Sequence, residues 1–449
     1  MAEATESGHI AWVSQPRLTC RGSCLRAQPA PHFGMRTRDI PSSVILCSAT
    51  VAWEDGVKAT DEFFARKREW SRLKDEMLGT YLVPYLAKLG RAGRPVVIVD
   101  AFAGKGRFDD GEPGSPVIIL DAIAKTRSSN PAASIKALLI EKRYYKELAK
   151  AVAEYADCRV LPGTYEAHAR ALAETLDRRT SVLLFVDPYG VKSLDFEYFR
   201  ALAQRELESL ELVLNFNTFG FLREGCRLLG IEGFDCGLDS TEYENEPGSP
   251  NSVERMNAIA DGDYWQAFLQ EYHEQGSDIR PAELALAQEY LHRLEGLFAH
   301  VTSIPVHERR SHLPKYRLYF GTRHPDGLIL MADKMSRVWK EFVNRDRSGQ
   351  GVLFEEIDFP DMSELEDYSL DDDILRLAET PTELKSMIVM LFERYGITYP
   401  ESVLKARISA LATGEGALLR IDRYPSKTPT GRLSKTMDYG ERKIVIRRA

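Results

Sequence analysis

The stretch Pro95-Val-Val-Ile-Val-Asp100-Ala-Phe-Ala-Gly104-Lys-Gly106 constrains the fold more than any other. Its apolar core, without polar alternation, predicts a strand buried on both faces, as inside a parallel sheet. An acid closes the strand. Two glycines one residue apart follow, and they let backbone approach a ligand closely. Open α/β sheets bind ligands at that carboxyl end. Further strand patterns fall at 135–141, 158–163, 182–187 and 212–217, separated by helical patterns at 117–125, 144–155 and 166–176. This alternation predicts an α/β, doubly wound, mostly parallel sheet.

The flanks divide the chain. A helical pattern runs over 58–89, with Phe63, Trp70, Leu73, Met77 and Leu78 at helical intervals; Tyr81, Pro84 and Tyr85 are expected to kink or end it. Residues 221–300 break the strand–helix rhythm and read as a helical insertion. Strand patterns at 300–306 and 316–321 predict a hairpin, hence an antiparallel edge on the parallel sheet, and a helix follows over 327–342. These pieces define an α/β domain over 56–345. An acidic linker spans 346–379. Residues 380–449 form a basic module: helices over 382–395 and 401–412, then strands over 417–423 and 443–446, a winged-helix-like pattern. Residues 1–55 lack sustained periodicity and read as a disordered leader.

The 449 residues carry a formal net charge of −8, which argues against a globally basic nucleic-acid coat protein but leaves a local basic face open. No apolar run reaches membrane-spanning length, so no membrane span is expected. The six cysteines are thinly spread and read as reduced thiols of a cytoplasmic protein. Nine histidines show no metal constellation.

The glycine loop is not a dinucleotide fingerprint, because Asp109 stands where a third glycine is needed. It also lacks the Gly-Lys-Ser/Thr of a phosphate loop. A strand-end acid with a short G-x-G instead resembles motif I of S-adenosylmethionine-dependent methyltransferases. That resemblance makes Asp100, Phe102, Ala103, Gly104 and Gly106 candidate cofactor contacts. Glu141 ends the second strand, where a carboxylate can accept from both ribose hydroxyls. A ligand-free tight turn and a solvated strand-end acid explain the same residues. Ser115 and Pro116 suffice as N-cap and first helical residue of the next helix.

Asp187-Pro188-Tyr189-Gly190 ends the fourth strand and is expected to face the same cleft as Asp100. Amino-methyltransferases use a related Asp/Asn-Pro-Pro-Tyr/Phe turn, in which the acid accepts from the target amine and the aromatic ring stacks on the base. Asp187 and Tyr189 are thus the candidate catalytic residues, and Pro188 shapes the turn at the substrate. A structural Asx-Pro turn is the other reading. Arg323 and His324, after the last strand of the sheet, either touch substrate or cap a turn. In the C-terminal module Arg420, Arg423, Lys427, Arg432 and Lys435 would contact phosphates. The same residues also suit a solvated basic face or a surface docking the acidic linker.

Four stretches taken together resemble the three-Cys-motif partner protein (TcmP) family. They are Lys74 with Tyr81-Leu-Val-Pro-Tyr-Leu86, the run from Asp100 to Pro116, Phe185-Val-Asp-Pro-Tyr-Gly190, and Tyr316 to Pro325. The resemblance covers roughly 58–342. It implies a Rossmann-like methyltransferase fold, S-adenosylmethionine as cofactor, and a three-cysteine-motif partner that resembles radical S-adenosylmethionine enzymes. Two functions follow as expectations: methyl transfer on or near nucleic acid, or a non-catalytic assembly role beside that partner.

Overall fold

The computed structural model describes residues 67, 69–188, 190, 194–231, 252–276, 278–306, 313–314, 316–346 and 369–449. The leader 1–55, the candidate Tyr189, and most of the acidic run lie outside the described residues.

The first strand, β1 (Val96–Asp100), is buried along its whole length. Val96 and Ile98 enter one apolar cluster, Val97 and Val99 the other. This is the strand period of two expressed as two separate cores, and it explains why the run is apolar up to its closing acid. On one side β1 pairs in parallel with β2 (Ile135–Glu141), which pairs with β3 (Cys158–Pro162). On the other it pairs in parallel with β4 (Ser181–Val186), followed by β5 (Ser209–Phe216). The hairpin β6 (His300–Val306) and β7 (Tyr316–Thr322) closes the sheet, with β7 antiparallel to β5. The strand order is β3-β2-β1-β4-β5-β7-β6, the mostly parallel, Rossmann-like methyltransferase-type sheet. Strand order reverses direction between β1 and β4, so the ligand crevice lies outside their carboxyl ends.

On one face lie α1 (Glu69–Arg91), α2 (Ser115–Ser129), α3 (Tyr145–Ala151) and, after β7, α10 (Pro325–Asp346). The opposite face carries α4 (Tyr165–Thr175), α5 (Phe196–Ala203) and the insertion helices α6 (Thr218–Leu229), α7 (Val253–Ala260), α8 (Tyr264–Gln275) and α9 (Arg280–Glu295). Helix α5 was not anticipated from its sequence. It buries Phe196, Phe199 and Leu202, and the Asp195 carboxylate caps it by accepting from the Glu197 amide.

Pro84 neither ends nor replaces α1, which runs on to Arg91. Its flanking Tyr81, Leu82, Tyr85 and Leu86 are buried, and packing against α2 and α10 outweighs the one backbone bond that proline removes.

The acidic run is also more than a linker. Its end forms α11 (Leu370–Leu377), capped by Ser369, with Asp371, Asp372 and Asp373 in the first turn, where negative charge suits the helix dipole. The strand β8 (Thr382–Glu383), α12 (Leu384–Tyr395), α13 (Glu401–Leu411) and the hairpin β9 (Leu419–Tyr424) and β10 (Lys443–Arg448) follow, with sheet order β8-β10-β9. Asp371 pairs with Arg407, and Asp373 pairs with Arg376 and Arg394 and accepts from Tyr395. Ile388, Leu391 and Ile446 belong to the same continuous core as Leu328, Met331 and Trp339 of α10. The module is therefore fused to the α/β domain through apolar packing.

Candidate active site

The carboxyl ends of β1, β2, β4 and β5 converge on one polar cluster. Asp100 closes β1 with no exposed surface. One carboxylate oxygen accepts the Phe102 amide across 3.2 Å, and the other accepts the Ser115 hydroxyl across 2.7 Å. Burial pushes its carboxyl up to about 7 against these two lowering bonds. Asp100 thus holds the loop that would meet a cofactor and offers no exposed oxygen itself. Ser115 is the first residue of α2 rather than its cap. The cap is Gly114, which leaves the Ser115 hydroxyl free to serve Asp100.

The glycines carry the loop's shape. Gly104 and Gly106 have φ of 60° and 85°, the left-handed region that other residues enter at a cost. The Gly104 amide donates to Glu141 across 2.8 Å, and the Ala103 amide donates to the Ile140 carbonyl across 3.0 Å. The other Glu141 oxygen accepts the Arg143 and Tyr144 amides at 2.7 and 3.0 Å. A carboxylate has about four acceptor positions, so one remains for a hydroxyl group. Phe102 is half-buried, with its ring 6.3 Å from that of Tyr165.

Asp187, just past β4, is held from two elements. Lys74 of α1 donates to both its oxygens, at 2.7 and 2.6 Å, and Asn215 of β5 donates to one of them across 2.6 Å. Ahead of α1, Lys67 ties the chain to the segment between the glycine loop and α2. Lys67 donates to the Pro113 carbonyl across 2.6 Å and pairs with Asp75 at 2.7 Å. Burial raises the Asp75 carboxyl to about 6 in spite of Lys67. Pro188 is half-buried beside Asp187.

Lys74, Asn215 and Ser115 are site residues that sequence reading did not assign. Asn215 left one trace, a polar residue at the end of an apolar strand. Lys74 stood only among the residues that carry the family resemblance, since a lysine on an amphipathic helix is otherwise ordinary.

Arg323 and His324 are not part of this cleft. The register pairs Glu211 with Thr322 and Phe216 with Arg317, so the residues after Thr322 lie at the opposite end of the sheet, ~17 Å away along β5. Arg323 donates to the Arg205 carbonyl across 3.2 Å and also to the Ala203 carbonyl, and the His324 ring accepts the Asp326 amide. Both residues act as turn-end anchors.

In the C-terminal hairpin, Arg423 turns inward and donates to the Thr436 carbonyl across 2.8 Å, and Arg420 pairs with Asp422 at 3.2 Å. Lys427, Arg432 and Lys435 are exposed. Among the described residues, no group of three or more His, Cys, Asp or Glu could hold a metal, and no helix is long and apolar enough to cross a membrane. Cys158 and Cys226 are free thiols.

The chain matches no family model and no curated protein. Among solved structures it is similar to an O-methyltransferase from Streptomyces achromogenes in complex with S-adenosylmethionine, at 13% identity and a TM-score of 0.27, covering 59% of this chain and 94% of that one. A protein from Legionella pneumophila matches at 10% identity and a TM-score of 0.34, covering 61% of this chain and 91% of that one. Spermidine synthase from Thermotoga maritima matches at 10% identity and a TM-score of 0.28, covering 63% and 67%. These likenesses are distant, and the fold assignment rests on the strand order and register.

Proposed function

We propose that this chain is an S-adenosylmethionine-dependent methyltransferase that acts on or near nucleic acid, as a member of the three-Cys-motif partner group. The observation that carries the reading is the bond from the Gly104 amide to Glu141, which sets a glycine loop beside a strand-end carboxylate with one acceptor position to spare. The residues fit the cofactor. Glu141 would take a ribose hydroxyl, the half-buried Phe102 would face the adenine, and the loop held by Asp100 and Ser115 would run under the amino-acid part. When bound, the cofactor supplies a methyl group activated by a sulfonium. The protein's own part is orientation: Asp100 and Glu141 keep the loop rigid, and Asp187 marks the acceptor side. The module 370–449 would serve as a winged helix, and its exposed Lys427, Arg432 and Lys435 would meet phosphates. The chain would work in the cytoplasm, where its thiols stay reduced.

A second reading makes the chain a non-catalytic assembly partner of a radical S-adenosylmethionine-like three-cysteine protein. One observation favours it: both Asp187 oxygens are already occupied by Lys74. Calorimetric titration of S-adenosylmethionine and S-adenosylhomocysteine into the full chain separates the two. Saturable binding that disappears in Gly104→Arg supports the enzyme. No binding to a folded wild-type protein overturns it and leaves the assembly role.

A further inference from the structure

Asp187 lies in a setting built to hold a cation. The Lys74 ammonium donates to both of its oxygens, and the same nitrogen sits 5.2 Å from the centre of the Tyr316 ring, within reach of cation–π attraction. The Lys74 side chain is 11% exposed, so this ammonium has given up most of its water. Asn215 donates its amide nitrogen to Asp187. An ionised carboxylate only accepts, so that bond fixes which way the amide faces. It leaves Asn215 Oδ1 buried without a hydrogen-bond donor among the described residues, on a residue that is 8% exposed. A buried acceptor without a donor is costly. Beside a carboxylate and a ring face, it asks for a group with positive charge and N–H donors to spare.

We propose that Asp187, Asn215 and Tyr316 form a subsite for a primary alkylammonium group, and that Lys74 is its resident occupant, displaced when an acceptor of the same class enters. The inference rests on the methyltransferase reading and deepens it by naming the acceptor class. For methyl transfer the bound ammonium would first pass a proton to the Asp187 carboxylate. The amine lone pair so freed would take the methyl as the cofactor departs as its thioether. The chemistry separates an aliphatic amine from the exocyclic amine of a base. A neutral base amine would leave the part-buried Asp187 charge without a cationic partner, which is costly, and so does not displace Lys74. A second ammonium exchanges like for like. The orphaned Asn215 oxygen gives the incoming group a bond that Lys74 does not make, which tips the exchange toward the ligand.

The test uses n-propylammonium, which matches the atoms removed by Lys74→Ala. Titrated calorimetrically into the full-length variant, it should bind saturably and raise the Tm, and it should bind wild type too but more weakly, because Lys74 must first be displaced. Adding Asp187→Asn to the variant should weaken binding by roughly tenfold or more, through loss of the charged partner. No saturable binding to folded Lys74→Ala, or equal binding in the double variant, overturns the proposal. Should Lys74→Ala not fold, reductive methylation of lysines read by peptide mass gives a second measurement. Lys74 should resist labelling in wild type and react in Asp187→Asn, and equal labelling in both overturns the proposal. Titration of S-adenosylhomocysteine into the same wild-type preparation keeps the two ideas apart. Its failure to bind sinks the methyltransferase reading, whereas the propylammonium result judges the subsite alone.

Discussion

The Ser115 hydroxyl donates to Asp100 across 2.7 Å and so joins the first turn of α2 to the end of β1. Removing it strips a wholly buried carboxylate of one of its two bonds. Ser115→Ala should cost about 1–3 kcal/mol in urea denaturation. In an Asp100→Asn background the same change should cost less, because the partner no longer carries charge. An equal cost in both backgrounds would show that the pair is not coupled.

Asp100 also sets a pH dependence. Its carboxyl is raised from 3.8 unfolded to about 7 folded by burial. The folded protein therefore binds the extra proton between those values, and stability falls as pH rises from about 4 to about 7. Glu211 and Asp75, raised to about 7 and about 6 by burial, act in the same direction. Asp100→Asn should flatten this slope in Tm measured from pH 5 to 8. An unchanged slope would mean that Asp100 is ionised throughout.

Gly106 adopts φ of 85°, and a Cβ there would come within 3.1 Å of Leu148 and Ala151 on α3. Gly106→Ala should cost about 1–3 kcal/mol from backbone strain alone. It should also weaken S-adenosylhomocysteine binding. Wild-type affinity in this variant would place the cofactor away from the loop.

Arg317 of β7 and Glu283 of α9 form a pair at 2.7 Å, with both side chains only 2% exposed. Thr218 also donates to Glu283 across 2.7 Å. Arg317→Met alone should cost about 3–5 kcal/mol by stranding a buried carboxylate, and Arg317→Met with Glu283→Leu should recover much of that loss. Guanidinium denaturation of the three proteins decides.

Truncating the C-terminal module would open the shared core, so charge substitution is the cleaner test of nucleic-acid contact. If Arg432 and Lys435 meet phosphates, replacing both with alanine should lower the slope of log affinity against log salt by about 1.8. Fluorescence anisotropy with a labelled duplex measures it. An unchanged slope removes this hairpin from the interface. Arg423→Ala should instead loosen the hairpin itself, since its guanidinium holds the Thr436 carbonyl.

The parallel sheet was legible because burial on both faces writes itself as an unbroken apolar run, as in Val96–Val99 and Val182–Val186. The antiparallel edge was legible from two short apolar runs around a polar turn. Helix α5 drew no helical reading, and Pro84 was expected to kink or end α1, which runs on to Arg91. Local breakers such as Pro84 count in a sequence, while the packing that overrides them does not appear there. The acidic run was read by its charge alone. Its partners Arg394 and Arg407 lie on helices that come later in the chain.

By itself the sequence determined the order of strands and helices and the glycine loop after Asp100, because periodicity and turn chemistry act over a few neighbouring residues. Only the tertiary structure decided which charges meet. It brought Lys74 to Asp187 across 113 positions of chain and Glu141 to Gly104 across 37. It sent Arg323 and His324 to the far end of the sheet because β7 runs antiparallel to β5. Such pairings depend on strand register and helix crossing, and those are settled by how whole apolar faces pack rather than by any local pattern.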